Sequence, residues 1–126
     1  MQKSVFLIAC ILLIAACKPQ PPLGDPDLGA RWFYAEQIGD GPGCKICHSV
    51  VPGEIIVGPS LAGIAQRAAM RSEGLSAEEY IRQSILEPDA YLVEGFSKGV
   101  MYQDYSDELT EQQLNDLVAF LMQLDN

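Results

Sequence analysis

The chain has 126 residues, 48% of them hydrophobic, with 8 Lys and Arg against 17 Asp and Glu and a formal net charge of −9. That length allows one small domain. A surface this acidic argues against nucleic acid as a partner and against electrostatic attraction to anionic lipid.

The first sixteen residues read as a leader. Lys3 is the one charge ahead of an unbroken apolar run from Val5 to Ala16. Such a run makes only ~18 Å of helix, short of the hydrocarbon core of a bilayer, and has the form of a signal-peptide apolar region. It ends Ile14-Ala15-Ala16-Cys17, which resembles the bacterial lipobox of an aliphatic residue, two small residues and cysteine. The resemblance implies cleavage after residue 16 and diacylglycerol on Cys17. An ordinary signal peptide, or an uncleaved anchor with a chance cysteine, is the alternative. Export places the domain on the outer face of the cytoplasmic membrane, held there by lipid and not by charge. Cys10 leaves with the leader.

Residues 17–27 then form the lipidated cysteine and a tether. Four prolines between Lys18 and Asp27 oppose both helix and strand and favour extended chain, or else an irregular arm packed on the domain. The domain occupies residues 28–126. Asp25-Pro26-Asp27 is a helix-start signal. Leu28, Trp32 and Ala35 follow at helical spacing and Gly39 supplies a stop, which predicts a helix over residues 26–38. Gly29 lies on that helix where a larger side chain would hold off a crossing helix.

Cys44-Lys45-Ile46-Cys47-His48 is C-x-x-C-H, the attachment sequence of a c-type haem. Each cysteine sulfur adds to one vinyl group, and the adjacent His48 supplies a ring nitrogen to the iron. Zinc would need a fourth ligand, yet the chain has no other histidine and its other cysteines lie at 10 and 17. A redox dithiol would call for strand–helix alternation around the motif, which the pattern lacks. A disulfide across so short a loop would add little stability.

Further along, the spacing predicts a short helix over residues 61–70. Ser76-Ala77-Glu78-Glu79 is a capping box, opening a helix that should stop at residue 86 or 87 ahead of Pro88. Residues 91–105 lack a helical period and contain Met101. Thr110 and Gln113 form a second capping box, and Leu114, Leu117, Val118 and Leu121 share one face of the last helix. Met70 and Met122 fall in predicted helices, where core packing is the default.

These landmarks resemble, in order, the class I cytochromes c, single-haem electron carriers. The resemblance covers residues 27–124 and rests on Gly29 with Phe33, the C-x-x-C-H motif, Gly58-Pro59, Met101 and Phe120. It implies an all-α cytochrome c fold: N- and C-terminal helices crossing, with shorter helices and loops wrapped around one haem. It further implies that the Pro59 carbonyl accepts the other ring N–H of His48, that Leu61 packs on the haem and that Arg67 neutralises a propionate. His48 and Met101 would be the axial iron ligands, with haem c held covalently by Cys44 and Cys47. The proline that many bacterial relatives carry after the methionine is here Tyr102.

With both axial positions filled, no site is open to substrate. The expected role is one-electron transfer by Fe(II)/Fe(III) cycling, and not enzyme catalysis. Basic docking surfaces on redox partners would complement the negative charge. Beside a mobile carrier stands a fixed subunit of a respiratory or photosynthetic membrane complex; on resemblance alone, a quinol-oxidising assembly such as alternative complex III is the setting. An open-site haem enzyme or gas sensor is the remaining alternative.

Overall fold

A computed structural model describes residues 24–71 and 74–125. The predicted leader, Cys17 and most of the predicted tether lie outside the described residues. Among those described, the elements are α1 (Pro26–Phe33), a two-stranded hairpin of β1 (Gln37–Ile38) and β2 (Gly41–Pro42), a single 3-10 turn (Cys44–Ile46), α2 (Ile64–Arg71), α3 (Ala77–Leu86), α4 (Tyr105–Glu108) and α5 (Glu111–Met122). No described helix is long and apolar enough to cross a membrane.

The local signals account for most helix ends. The Asp25 carboxylate accepts the backbone N–H groups of Asp27 and Leu28, with Pro26 in the first turn of α1. Ser76 with Glu79, and Thr110 with Gln113, form reciprocal capping boxes on α3 and α5. The helix predicted over residues 26–38 ends earlier, at Phe33. Tyr34 leaves helical geometry, and residues 37–42 pair as a hairpin instead. Gly39 sits in the turn of that hairpin at φ +57°, a conformation open to glycine without strain, so it serves the hairpin rather than stopping the helix. The helix predicted over residues 61–70 starts three residues later, at Ile64. A short helix, α4, stands just ahead of the second capping box, where no period signalled one.

The fold closes where α1 crosses α5. A Cβ built on Gly29 would lie 1.9 Å from the carbonyl oxygen of Asp116 and 2.8 Å from Cβ of Phe120, so the two backbones meet at a distance that only glycine permits. Phe33, one turn on, packs against Phe120 with ring centroids 5.3 Å apart. Asp116 is buried at 2% exposure. Its Oδ1 accepts the Asp25 backbone N–H at 2.8 Å and a Gln112 amide hydrogen at 2.7 Å. A buried carboxylate persists where such donors satisfy it, and here it fastens the start of α1 to α5.

The apolar stripe of α5 (Leu114, Leu117, Val118 and Leu121) meets Phe33, Ile64, Ala68, Tyr80, Ile81 and Ile85 in one core. Tyr80, Ile81 and Ile85 are buried and Leu86 half-buried, as the apolar face of α3 requires. Arg82 reaches from α3 to Asn115 and Glu111 on α5. Met122 packs against this core, but Met70 does not: it is 80% exposed, on the solvent face of α2. The helical period of α2 turns Ala68 inward and leaves position 70 outside.

The crossing generates a prediction. Gly29→Ala should force α1 away from α5 and lower stability by about 3 kcal/mol, since overpacking against backbone finds no soft neighbour to move. Denaturant unfolding checks this, and a wild-type midpoint contradicts it.

Candidate haem-binding site

The 3-10 turn brings the motif together. The Cys44 carbonyl accepts the N–H groups of both Cys47 (3.2 Å) and His48 (2.9 Å), so the two sulfurs and the imidazole leave one tight coil of chain. Both cysteines are half-buried and not joined to each other. Burial pushes the Cys44 thiol up to about 11, the neighbouring Cys47 adding to the rise.

Residues 47–61 form a looped wall behind the imidazole. The Cys47 carbonyl accepts from Val57 (3.1 Å) and Gly58 (2.8 Å), His48 bridges to Ile55, and the Ser49 carbonyl accepts the Leu61 N–H at 2.8 Å. This returns Pro59 to His48, whose Nδ1 lies 2.8 Å from the Pro59 carbonyl oxygen. Burial lowers the His48 pKa below its ordinary value, partly offset by that carbonyl. The ring is therefore neutral at pH 7. With Nδ1–H donated to Pro59, Nε2 keeps its lone pair for a metal.

His48 and Cys47 form part of a cavity of about 950 Å³, counting its solvent-open mouth. Pro59 and Leu61 line it. Tyr80, Ile81 and Ile85 contribute from α3, and Leu121 from α5. Met101 lines it too, the one methionine to do so among the described residues, within a stretch that also supplies Tyr91, Leu92, Val93, Phe96 and Val100. Volume, apolar walls and a neutral imidazole with a free lone pair all fit a covalently attached haem. Cys44 packs on the hydrophobic core one turn earlier.

The stretch around Met101 is tied back to the motif. Tyr105 donates its hydroxyl to the Pro42 carbonyl at 2.5 Å, and Tyr102 lays its ring against Gly41. The two tyrosine rings meet edge to face at 4.9 Å. Burial pushes the Tyr105 phenol well above its ordinary pKa, so it remains a donor.

Arg67 is not among the residues lining the cavity. Its guanidinium donates to the carbonyls of Ala62 and Ser60, the latter at 2.9 Å, and borders a shallower groove with Pro59, Ser60 and Arg71. Arg71 borders both the groove and the cavity. Burial lowers the Arg67 pKa from its ordinary value, and the positive charge of Arg71 adds to that. Sequence reasoning passed over Arg71 and also Asp89, which lines the cavity beyond α3. Position 71 falls one residue past the predicted helix end, and nothing in its local pattern marks it.

Gly58 admits no side chain. A Cβ there would lie 2.4 Å from Cε1 and 3.0 Å from Nε2 of His48. Gly58→Ala should displace the imidazole from its Pro59 partner and cut haem content per polypeptide by at least about tenfold, within the range for loss of a partner that orients a metal ligand. Wild-type haem content in the variant contradicts this.

Among known proteins, the sequence profile of the family described as Cytochrome c matches residues 27–125. Cytochrome c2 of Rhodoblastus acidophilus is similar: 37% identical over 67 residues, which are 52% of this chain and 55% of that protein. The chain therefore spans about half the length of this curated relative. The profile match takes in all but the first residue of α1, and the attachment motif, the Pro59 wall, Met101 and α5 in full. The chain belongs to the cytochrome c family, whose members carry covalently bound haem c.

Proposed function

We propose that this protein transfers single electrons, and that the His48–Pro59 pairing in a cavity that Met101 also lines carries that reading. Bound haem supplies the Fe(II)/Fe(III) couple. The protein supplies everything that makes the couple usable. The thiols of Cys44 and Cys47 anchor the porphyrin. Pro59 fixes the tautomer of His48 and increases its basicity, so that Nε2 is a strong donor. The Met101 thioether, a soft neutral donor, favours the reduced ion and raises the potential. The aliphatic and aromatic walls keep water away from the metal.

Arg67 and Arg71 both border the groove, and Arg71 also lines the cavity, so two positive charges stand together beside the site in an acidic protein. Two propionates are the natural complement, with Arg67 held in place by its carbonyl partners and Arg71 facing the cavity. With His48 and Met101 both donating to the iron, no coordination position would remain for a substrate, which would separate this reading from an open-site enzyme or gas sensor.

The proposed setting is the outer face of the cytoplasmic membrane, with Cys17 lipidated and residues 17–27 as the tether. This is supported by the lipobox-like Ile14-Ala15-Ala16-Cys17 and the proline-rich stretch after it. A short tether suits service to, or membership of, a respiratory or photosynthetic complex, with a quinol-oxidising assembly such as alternative complex III as the specific proposal. Partners would present basic docking surfaces.

Absorption spectra test the site. The ferric wild type should show a sulfur-to-iron charge-transfer band. Met101→Ala should lose it, fall in potential and gain carbon monoxide binding when reduced at neutral pH; an unchanged spectrum removes Met101 from the ligand set. Fractionation tests the setting: Cys17→Ser should move the protein from the membrane to the soluble fraction, and retention on the membrane contradicts lipid anchoring. Association with a basic redox partner should slow as salt rises; a flat response points to a permanent subunit.

A further inference from the structure

We propose that Asp89 is a positioning residue for the Met101 thioether, a role that rests on the reading of Met101 as an axial ligand. Asp89 follows Pro88 just beyond the end of α3 and borders the cavity. Its Oδ1 accepts the backbone N–H of Gly99 at 2.9 Å. Met101 stands two residues further on.

The bond matters because it secures the far end of a segment whose near end is already held, by the Ala90 N–H on the Glu87 carbonyl at 2.9 Å and by Tyr91 packing edge to face on Tyr80 of α3. No helix or strand lies between Leu86 and Tyr105. Inside the loop, the Phe96 N–H donates to the Val93 carbonyl at 3.0 Å, a local turn that does not join its ends. The side chains of Leu92, Phe96 and Val100 line the cavity, so their packing depends on what fills it. Gly99 adopts φ +74° with open space around a notional Cβ, so glycine there answers a backbone requirement and not a packing one. That conformation accompanies the bond from the Gly99 amide to the carboxylate. A charged acceptor on the residue after a proline-stopped helix thus fastens the far end of the loop to a rigid element.

On the other side of Met101 the chain is already secured: the Gln103 amide donates to the Met101 carbonyl at 2.7 Å, and Tyr102 and Tyr105 pack on the hairpin. Asp89 completes the restraint from the N-terminal side. Its effect is to keep the sulfur near the metal in competition with other ligands, without touching the metal itself.

The test uses ferric holoprotein and imidazole as the competing ligand. Asp89→Ala should raise imidazole affinity about tenfold, the equivalent of losing one charge-assisted hydrogen bond from the methionine-bound state, and weaken the charge-transfer band. Asp89→Asn keeps an acceptor oxygen and should stay within about threefold of wild type. Wild-type affinity and band in Asp89→Ala overturn the proposal, as do equal effects of the Ala and Asn variants. Hydrogen exchange in the wild type gives a reading that needs no variant to fold: the Gly99 amide should be protected, and exchange at the free-loop rate overturns the proposal. Met101→Ala separates the two levels. A retained band there defeats ligation and the Asp89 role together. Loss of the band there, with Asp89→Ala unaffected, defeats only the Asp89 role.

Discussion

The geometry of the site depends on how one imidazole is seated. His48 follows the second cysteine directly, so its position is set by a single 3-10 turn, yet its orientation is set from eleven residues away by the Pro59 carbonyl. The intervening chain folds back through bonds to the Cys47 carbonyl. A bare Cα at Gly58 lets that return path lie against the ring. Turn, glycine and carbonyl act as one device. Remove the close approach and the donor nitrogen points elsewhere, whatever the cavity walls do.

Around that device the fold provides a frame held by two kinds of contact. One is backbone against backbone, at the α1–α5 crossing, where glycine and a buried Asp116 replace side-chain packing. The other is aromatic: Phe33 with Phe120 inside the crossing, and Tyr102 with Tyr105 over the hairpin. The apolar core joins α1, α2, α3 and α5, and its members Ile64, Tyr80, Ile81, Ile85 and Leu121 also line the cavity, which the loop after Pro88 completes. The helices thus serve the site mainly as walls, and the loops carry the groups proposed to act on the metal.

How much of this could be read beforehand follows from the range of each interaction. Capping boxes are local, so Ser76 with Glu79 and Thr110 with Gln113 marked the starts of α3 and α5 correctly. The stripe of α5 is periodic and was legible for the same reason. The attachment motif is contiguous, and Gly29, Pro59 and Phe120 were placed by the order of landmarks. What failed was non-local. The end of α1 depends on a hairpin whose strands are two residues each, too short to leave a pattern. The exposure of Met70 depends on which way α2 is rotated. The burial of Asp116 depends on an amide ninety-one residues away. Arg71 and Asp89 gain meaning only from a cavity assembled out of four separate stretches of chain.

The Tyr105 hydroxyl joins the chain just after the proposed methionine ligand to the carbonyl two residues ahead of the first thioether cysteine. A movement that lifts the methionine side must therefore also disturb the chain entering the attachment turn. The consequence is mechanical stiffness shared by both hemispheres of the metal site. An electron hop is fast when nuclei shift little between the two charge states, that is, when reorganisation energy is small. In the proposed electron-transfer role, one phenol linking the two stretches would serve that end.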